Sequence, residues 1–363
     1  MSIADANPDV DEVDMTAGAA SRGPRRSWSR TLSIAAVVVM VLAALAVFNL
    51  TQGEPDSSLS QVWHALWRGS PEQGVISDIL VREVRLPRVI VALMAGASLG
   101  LAGVLLQDSL RNPLADPTLL GVAQGAGLIV ALISIYPELV PNLPTTVWCF
   151  ICGTAAGAAV IALSRRARNP VRVVLAGAMV SVLLATLSTA VVLLATQERT
   201  AGIFSYYRFV IGSLAAVNWD AVGVVLPWFV VGVPLAFAGS RTLNLLQLGD
   251  EAASGMGLRP TRARIVLMLL AMILVTPFVA VIGPIGFVAL FAPHISRGLT
   301  KTTDARHVLV LSALIGAGVL LVADSAARLL FLPTEVPAGI FTWIIVGPMA
   351  LVLVGRLGKR VAE

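Results

Sequence analysis

Charged residues are scarce in this sequence, and their absence is concentrated in long stretches. Only 13% of the 363 residues are Asp, Glu, Lys or Arg, whereas 57% are hydrophobic. A helix of ~20 apolar residues crosses the ~30 Å hydrocarbon core of a membrane, and a soluble fold cannot bury many helices that are apolar on every side. The sequence therefore predicts an all-α polytopic membrane protein. The uncharged runs are Thr31–Gly53, Val89–Gln107, Pro117–Pro137, Leu139–Ser164, Val173–Gln197, Ala221–Ser240, Ile265–Ser296, Val308–Ala323 and Val336–Gly355.

The sequence also lacks the residues that bond chemistry would need. Cys149 and Cys152 lie in an apolar run without a second Cys or His pair, so we interpret them as packing residues. The three histidines form no metal-binding motif, and no convincing catalytic serine motif is present. Gly358-Lys359 is followed by Arg360, so the phosphate-binding pattern G-x-x-x-x-G-K-[ST] fails. We expect no catalytic residue, no metal site and no cofactor in this chain.

Ionisable residues are nearly missing from the spans themselves. Ion-coupled carriers usually bind or relay their ion through Asp, Glu, Lys or His inside the membrane, and here only His294 lies within a run. An ion-coupled secondary carrier stays open as an alternative class, as does a membrane sensor or enzyme. The net charge of +5 comes from basic residues in short loops beside spans. Such residues mark the cytoplasmic side, so we expect contact with lipid and not with nucleic acid.

The run Ile265–Ser296 decides the topology. Its 32 residues would form a helix of roughly 48 Å, too long for one crossing, and Gly283-Pro284 should break it. With a second, shorter leg there are ten spans, and 19 Lys or Arg lie inside against 7 outside; with one crossing the split is 14 to 12. The positive-inside rule favours about ten transmembrane helices with both termini in the cytoplasm. The short leg should be shielded by neighbouring helices.

Three regions are predicted along the chain. Residues 1–30 form a polar cytoplasmic tail without apolar periodicity, which we expect to be disordered. Residues 31–356 form the transmembrane domain, whose first span is too long for a signal peptide and is retained. Residues 357–363 form a short cytoplasmic tail. Within the spans, small residues recur at helix-packing spacing: Gly96 and Gly100, Gly153 and Gly157, and Gly121, Gly125 and Gly127.

The segments between and within the spans carry a series of motifs in a characteristic order. They are RLPR at 85–88, GVLLQ at 103–107, RNPLADPTLLG at 111–121, LGDEAASGMGL at 248–258, GPIGFVALFAPHISR at 283–297, ADSAAR at 323–328 and EVPAG at 335–339. This order closely resembles the permease subunits of type II ABC importers, which take up ferric siderophores, haem and cobalamin. The resemblance runs from about residue 60 to 356. Ala289 and Phe291 depart conservatively from the pattern.

The resemblance implies a multi-pass permease in the plasma membrane of a bacterium. Its partners would be ATP-binding cassette ATPase subunits, which use the ATP, an extracytoplasmic substrate-binding (lipo)protein, and a second permease copy. A homodimer is expected, with a heterodimer of sister permeases as the alternative. The substrate expected first is a ferric siderophore, with haem second and cobalamin third, a ranking that follows how common each use is in the family.

The resemblance assigns the ATPase contact to the loop at 239–264. Within it, Asp250–Met256 is predicted to be a short helix, with acidic residues in its first turn and Gly257 as C-cap. A rigid helix can carry motion into the bundle, whereas the ordinary alternative is a solvated loop helix. The coupling residues predicted here are Gly249, Asp250, Glu251, Ala252, Ala253, Gly255 and Gly257.

Two further groups follow from the motifs. Arg85, Arg88 and Arg328 lie on the side that should be poor in basic residues and are predicted to dock the binding protein; snorkelling to the interface would also explain them. The predicted pathway and gating residues are Asn112, Pro113, Asp116, Gly283, Pro284, Pro293 and His294. Their local alternatives are a tight turn at 112–117, a simple kink at 283–284, and a structural, hydrogen-bonded histidine.

Overall fold

The protein is an all-helical bundle in the computed structural model, which describes residues 24–53, 57–67, 76–164, 170–331, 334–345 and 347–348. Within these ranges no β-strand occurs, and the all-α prediction is confirmed. A last helical segment covers 338–345. The other helices are α1 (Pro24–Thr51), α2 (Leu59–Trp67), α3 (Ile76–Ile79), α4 (Leu86–Leu110), α5 (Val122–Ile135), α6 (Thr145–Ser164), α7 (Pro170–Leu193), α8 (Thr200–Ile211), α9 (Trp219–Ala238), α10 (Ser240–Gln247), α11 (Asp250–Gly255), α12 (Pro260–Ile282), α13 (Val288–Thr300) and α14 (Ala305–Leu329).

Seven helices in the described part of the chain are long and apolar enough to cross a membrane. They are α1, α4 with the π-helical turn Leu80–Arg85 that precedes it, α6, α7, α9, α12 and α14. Three more apolar helical segments are shorter: α5 has 14 residues, α13 has 13, and the third is 338–345. The predicted runs therefore all fall on helices. The end of the last run and the tail at 357–363 lie outside the described residues.

The first helix begins earlier than the uncharged run predicts. α1 starts at Pro24, so residues 24–30 are helical, and the disorder predicted for residues 1–30 is wrong for this part. Proline suits the first helical turn, and arginine is a good helix former, so the helix continues beyond its apolar part. Residues 1–23 lie outside the described ranges.

α4 is the central helix, and α14 lies against it. Nearly all of α4 is buried, whereas α1 and α7 expose most of their surface. A Cβ on Gly96 would overlap the Gly316 carbonyl, and one on Gly100 would overlap the carbonyl of Ser312. The Ser312 hydroxyl donates to the Gly100 carbonyl at 2.8 Å. The predicted close packing at Gly96 and Gly100 is confirmed, and it fixes α4 and α14 as antiparallel neighbours.

α1 lies along α14 in the same direction. Thr31 hydrogen-bonds His307 at 2.8 Å near the start of both helices, and Asn49 donates to the Ser325 hydroxyl at 2.8 Å near their ends. Because α4 runs opposite to α14, the start of α1, the end of α4 and the start of α14 share one end of the bundle. The loops that belong to the predicted cytoplasmic side are therefore grouped together.

Small residues also bring α5 and α6 together. A Cβ on Gly125 would come within 2.5 Å of the Cys152 carbonyl, and one on Gly153 within 3.1 Å of the Val122 carbonyl. Cys149 is buried and both thiols are free, as expected of packing residues. Gly127 differs, because no atom of the described part of the chain lies within 4 Å of its Cβ position. The packing role predicted for Gly127 is wrong, and this glycine instead lines a cavity.

The long run at 265–296 folds as two legs. α12 ends at Ile282, Gly283 has a φ of 76°, and α13 begins at Val288. The six residues from Val288 to Pro293 are all buried, and α13 packs between α4 and α14. The helix break and the shielding of the short leg are both confirmed.

Candidate functional site

Two breaks in the helices meet inside the bundle. The first is the segment between α4 and α5, in which Asp116 caps the next turn by accepting a hydrogen bond from the Thr118 amide at 2.9 Å. Asp116 lines a void of about 20 Å³ together with Leu99 and Pro284. Leu99 lies 11 residues before the end of α4, which is ~16 Å along the helix. The segment thus turns back about halfway into the bundle, and this is why α5 is short.

The second break is built from glycines in tight backbone contact. A Cβ on Gly283 would overlap the Phe209 carbonyl at the end of α8, and one on Gly212 would overlap the carbonyl of Pro284. Gly212 also has a φ of 79°, in the region that favours glycine. The Gly339 amide donates to the Gly212 carbonyl at 3.1 Å, so three chain segments cross here. The contribution of Gly212 to this break was not predicted, because it depends on contacts with Pro284 and Gly339, which are distant in the sequence.

A cavity of about 270 Å³ opens beside the crossing. Its polar lining includes Thr118, Gln124, Ser188 and Tyr206, with Trp343 on the last helical segment. The Gln124 Oε1 atom is buried and has no hydrogen-bond partner among the described residues. Among the residues that the structure describes, no charged side chain lines the cavity. Such a chamber suits a cargo held by uncharged polar and aromatic groups.

Phe287 packs against Trp343, one of the residues in the cavity wall. Its φ of 66° is left-handed, a conformation that costs free energy for a bulky residue. Its ring meets the Trp343 ring edge-on, with centroids 4.6 Å apart. Sequence reasoning missed Gln124, Tyr206 and Trp343, although a lone glutamine in an apolar run is a signal that could have pointed to the site.

The predicted pathway residues do not form one cluster. Asp116, Gly283 and Pro284 are brought together at the two breaks. Asn112 and Pro113 lie in the turn that leads there, where Asn112 Oδ1 accepts from the Leu114 amide at 3.0 Å. On α13, Pro293 is buried against the Gly103 position and His294 is exposed, away from the two breaks.

The predicted coupling helix is present as α11. It runs from Asp250 to Gly255 with both acids in its first turn, after Gly249 at φ 105°. At its other end Gly257 has a φ of 83°, and the Leu258 amide donates to the Ala253 carbonyl at 3.0 Å, the bonding expected of a glycine cap. The helix and its cap are confirmed as structure.

Asp250 ties α11 to two membrane helices. Its carboxylate accepts a hydrogen bond from Arg264 Nη1 of α12 at 2.9 Å and another from Arg111 Nη2, at the end of α4, also at 2.9 Å. Arg264 Nε also donates to the Ser109 carbonyl at 2.9 Å. The hydrogen bond from Arg264 lowers the pKa of Asp250 below its ordinary value, so the carboxylate stays charged at neutral pH. These contacts connect α11 directly to α12 and to the end of α4.

The same end of α4 is also tied to α13. Arg297 donates to Gln107 Oε1 at 2.7 Å and to Asp108 Oδ1 at 2.8 Å. Gln107 Nε2 in turn donates to the Leu290 carbonyl at 3.1 Å. The end of α4 thus connects the short leg to the loop that carries α11.

The outer face of α11 is open. Glu251, Ala252, Gly255 and Met256 are exposed, whereas Ala253 is buried against the bundle. No described residue lies within 4 Å of a Cβ placed on Gly255. A protein partner can therefore approach this side of the helix without disturbing the contacts of Asp250.

The three arginines predicted to dock a partner are turned inward. Arg85, Arg88 and Arg328 are buried. Arg85 Nη1 donates to the Leu50 carbonyl at 2.8 Å, and Arg328 Nη2 donates to the Asn49 carbonyl at 2.7 Å. Both acceptors lie near the end of α1. The contacts of these three residues are internal, so they do not form an exposed patch of charge. Docking of the binding protein through them stays a prediction.

Comparison with known proteins decides the class. The FecCD transport family matches residues 36–356. This chain belongs to that family. The Fe(3+)-citrate import system permease protein YfmD of Bacillus subtilis (strain 168) is 37% identical over 341 residues, 93% of this chain and 98% of YfmD. The hemin transport system permease protein HmuU of Yersinia pestis is 36% identical over 329 residues, 88% of this chain and 94% of HmuU.

A solved structure agrees with this assignment. It is an inward-facing conformation of a metal-chelate type ABC transporter, with a TM-score of 0.78 and 28% identity, covering 89% of this chain and 99% of the solved one. This chain is thus a permease subunit of an ABC importer in the inner membrane. It is not an enzyme, because the ATPase is a separate chain, and it works with ATPase and substrate-binding partners. The ion-coupled carrier and the membrane sensor are excluded.

Proposed function

We propose that this permease conducts a ferric siderophore and that the 270 Å³ cavity is part of the path. The observation that carries the proposal is the meeting of two helix breaks beside a chamber with polar and aromatic walls, in which none of the described lining residues is charged. Irregular backbone at membrane depth is tolerated where it is buried or lines a cavity. The relative YfmD, named for Fe(3+)-citrate, supports an iron chelate as the cargo.

Haem is the second candidate. It is favoured by the likeness to HmuU, which is named for hemin, and by the aromatic side chains of Tyr206 and Trp343 in the cavity wall. A flat apolar macrocycle could lie against such rings. Iron chelates and haem differ in charge and shape, so the two cargoes can be separated by uptake measurements.

The membrane arrangement that we propose has ten spans and both termini in the cytoplasm. Seven long helices, the two short helices α5 and α13, and the segment that begins at 338 supply the ten crossings. The ends of α1, α4 and α14 that share one side would then be cytoplasmic, as the Lys and Arg distribution favours.

A second copy of the chain completes the path in this proposal. The cavity is bordered by Ser188 on α7 and by Trp343. Both elements expose large apolar side chains, among them Leu183 and Ile344, each 60% exposed. A partner permease packed on these faces would close the chamber. The ATPase would bind the open side of α11, and the substrate-binding protein would dock at the opposite end of the bundle.

Uptake by the assembled transporter tests the cargo. Proteoliposomes that contain the permease, its ATPase and its binding protein should accumulate iron from ferric citrate or a ferric hydroxamate in the presence of ATP, and should take up little haemin. Trp343→Ala should lower the uptake rate about tenfold, the effect of ~1.4 kcal/mol. Trp63→Ala, which removes a 65% exposed ring on α2, should leave the rate unchanged. ATP-dependent uptake of haemin alone would assign the permease to haem.

A further inference from the structure

An apolar groove separate from the central cavity lies between the end of α9 and the first half of α12. It has a volume of about 550 Å³ and is lined by Leu235 on α9, by Leu258 before α12, and by Val266, Leu269 and Ile273 on α12. Several of these side chains face outward, with Val266 61% and Leu269 42% exposed. The groove is therefore a surface cleft on the side of the bundle and not a sealed void.

Two arginines stand at one end of this groove. Arg259 and Arg262 line it and are exposed, and neither guanidinium has a hydrogen bond or a carboxylate partner among the described residues. Arg264 of the same helix turn is different, because Asp250 and the Ser109 carbonyl occupy its donors. The groove thus joins a long apolar floor to unpaired positive charge, the pattern that complements an amphiphile with an anionic headgroup.

The length of the groove matches one leaflet. From Arg262 to Ile273 the helix advances 11 residues, or ~16 Å, about half of the ~30 Å hydrocarbon core. A single acyl chain reaching from the interface to the bilayer centre would fill this distance. The arginines then stand at the level of the headgroups, at the end of the bundle that carries α11.

We propose that this groove binds one anionic phospholipid of the cytoplasmic leaflet, with its phosphate at Arg259 and Arg262 and an acyl chain along Val266, Leu269 and Ile273. The proposal rests on the cytoplasmic placement of this end in the proposed function. Arg259 follows Gly257, the cap of α11, by two residues. A bound headgroup would therefore hold the segment that links the coupling helix to α12.

Lipid retention by the full-length permease in detergent tests this site by native mass spectrometry. The probes are dioleoyl phosphatidylglycerol and dioleoyl phosphatidylcholine, which share acyl chains and differ in headgroup charge. The wild-type protein should retain the anionic lipid preferentially. Arg259→Gln with Arg262→Gln should lower the affinity for it about 30-fold, or about fivefold for each arginine, and should leave the neutral lipid unaffected.

A second variant fills the groove itself. Ala238 is exposed and lines the groove, so Ala238→Trp should remove the retention of the site-bound lipid without disturbing the core. Val224→Trp, on the same helix but 14 residues away and outside the groove, is the matched control. Arg306→Gln removes an exposed arginine outside the groove. Both controls should retain lipid as the wild-type protein does.

Three outcomes would overturn the proposal. Equal retention of the two lipids by the wild-type protein would show that no anionic headgroup is selected. Unchanged retention in Ala238→Trp would place the lipid elsewhere. Loss of permease self-association in Ala238→Trp with lipid retention intact would show that the groove is a protein interface. Because retention is read without transport, a permease that carries haem instead of iron chelates leaves this test valid.

Discussion

Arg88 and Asp324 form a buried ion pair between α4 and α14. Arg88 Nε donates to both carboxylate oxygens at 3.0 and 3.1 Å, and Nη2 donates to Oδ1 at 2.8 Å. Their side chains are 6% and 1% exposed. The remaining nitrogen of Arg88 reaches Glu335 at 2.9 Å, on the segment before the last helix. One guanidinium therefore fixes three parts of the chain at the end of the bundle opposite α11.

Breaking this pair from one side should be costly. Asp324→Leu leaves Arg88 without its buried partner, so we expect a loss of about 3–5 kcal/mol in the free energy of unfolding. The double variant Arg88→Leu, Asp324→Leu should lose less than Asp324→Leu alone. Glu335→Gln, which removes a 40% exposed partner, should cost below ~1 kcal/mol. Thermal unfolding in detergent measures all three, and equal losses for Asp324→Leu and Glu335→Gln would contradict a dominant buried pair.

A triple variant can distinguish a docking role of the three buried arginines from a purely structural one. If Arg85, Arg88 and Arg328 dock the binding protein, the triple Arg→Glu variant should insert normally and lose stimulation of the ATPase only at low salt. Their burial leads us to expect poor recovery of folded protein at any salt concentration. The measurement is the yield of monodisperse permease beside stimulated ATPase activity at 0.1 and 1 M salt.

Two glycines in different surroundings give a matched pair of variants: Gly100 packs between α4 and α14, and Gly127 on α5 faces the cavity. Gly100→Ala should destabilise the bundle by about 1–3 kcal/mol, because the added methyl overlaps the Ser312 carbonyl and the helices must separate. Gly127→Ala has open space on the cavity side and should be tolerated. Thermal unfolding in detergent tests both, and a larger loss at Gly127 would contradict the assigned contacts.

The topology can be tested at the two ends of one helix. Arg306 at the start of α14 and Thr334 just after its end are both exposed. In a chain with Cys149→Ala and Cys152→Ala, an impermeant thiol reagent applied to intact cells should label Thr334→Cys and not Arg306→Cys. Lysed cells should show labelling of both. The reverse pattern in intact cells would invert the proposed orientation.

The open side of α11 should carry the ATPase contact. Glu251→Arg reverses an exposed charge, and Gly255→Trp places a large ring where the structure leaves space. We expect both variants to fold normally and to lose ATPase association, measured by co-purification, together with transport. Glu198→Arg, an exposed acid elsewhere, is the control. Normal uptake in both α11 variants would refute the contact.

The ionised carboxylate of Asp250 should stabilise the segment around α11. Its pKa is lowered mainly by the hydrogen bond from Arg264, so the stabilisation is present above the ordinary value of about 4 and is lost only as the pH falls through the still lower folded value. Amide exchange at 249–257 should therefore be insensitive to protonation of Asp250 between pH 5 and 8, after correction for the intrinsic rate. Asp250→Asn should speed this exchange by about 2- to 5-fold, the range for a half-exposed ion pair.

Local features were predictable from the sequence because their causes are local. Gly283-Pro284 breaks a helix wherever it occurs, and the acids of α11 with Gly257 after it mark a short capped helix. The spans follow from hydropathy in the same way. Family membership, which the motif order indicated, supplied the coupling assignment that no local rule contains.

The remaining features depend on contacts between distant parts of the chain. Asp116 and Pro284 line one void because of the way in which α4 and α12 pack. The spacing of residues in the sequence does not predict this. The inward direction of Arg88 depends on Asp324, 236 residues later. Gly127 and Gly125 look alike in sequence, yet one meets the Cys152 carbonyl and the other meets open space.

The two breaks also have an electrostatic consequence. α5 and α13 both begin inside the bundle, at Val122 and Val288, so each directs the positive end of its macrodipole, about half an elementary charge, toward the interior of the bundle. The first turn of α5 contributes Gln124 to the cavity wall. α8 and α12 end beside the same cavity, at Ile211 and Ile282, so the negative ends of their macrodipoles oppose this positive charge. With opposed helix dipoles and no charged side chain among the described residues of its lining, the chamber offers a chelate no strong ion pair that would hold it back from leaving.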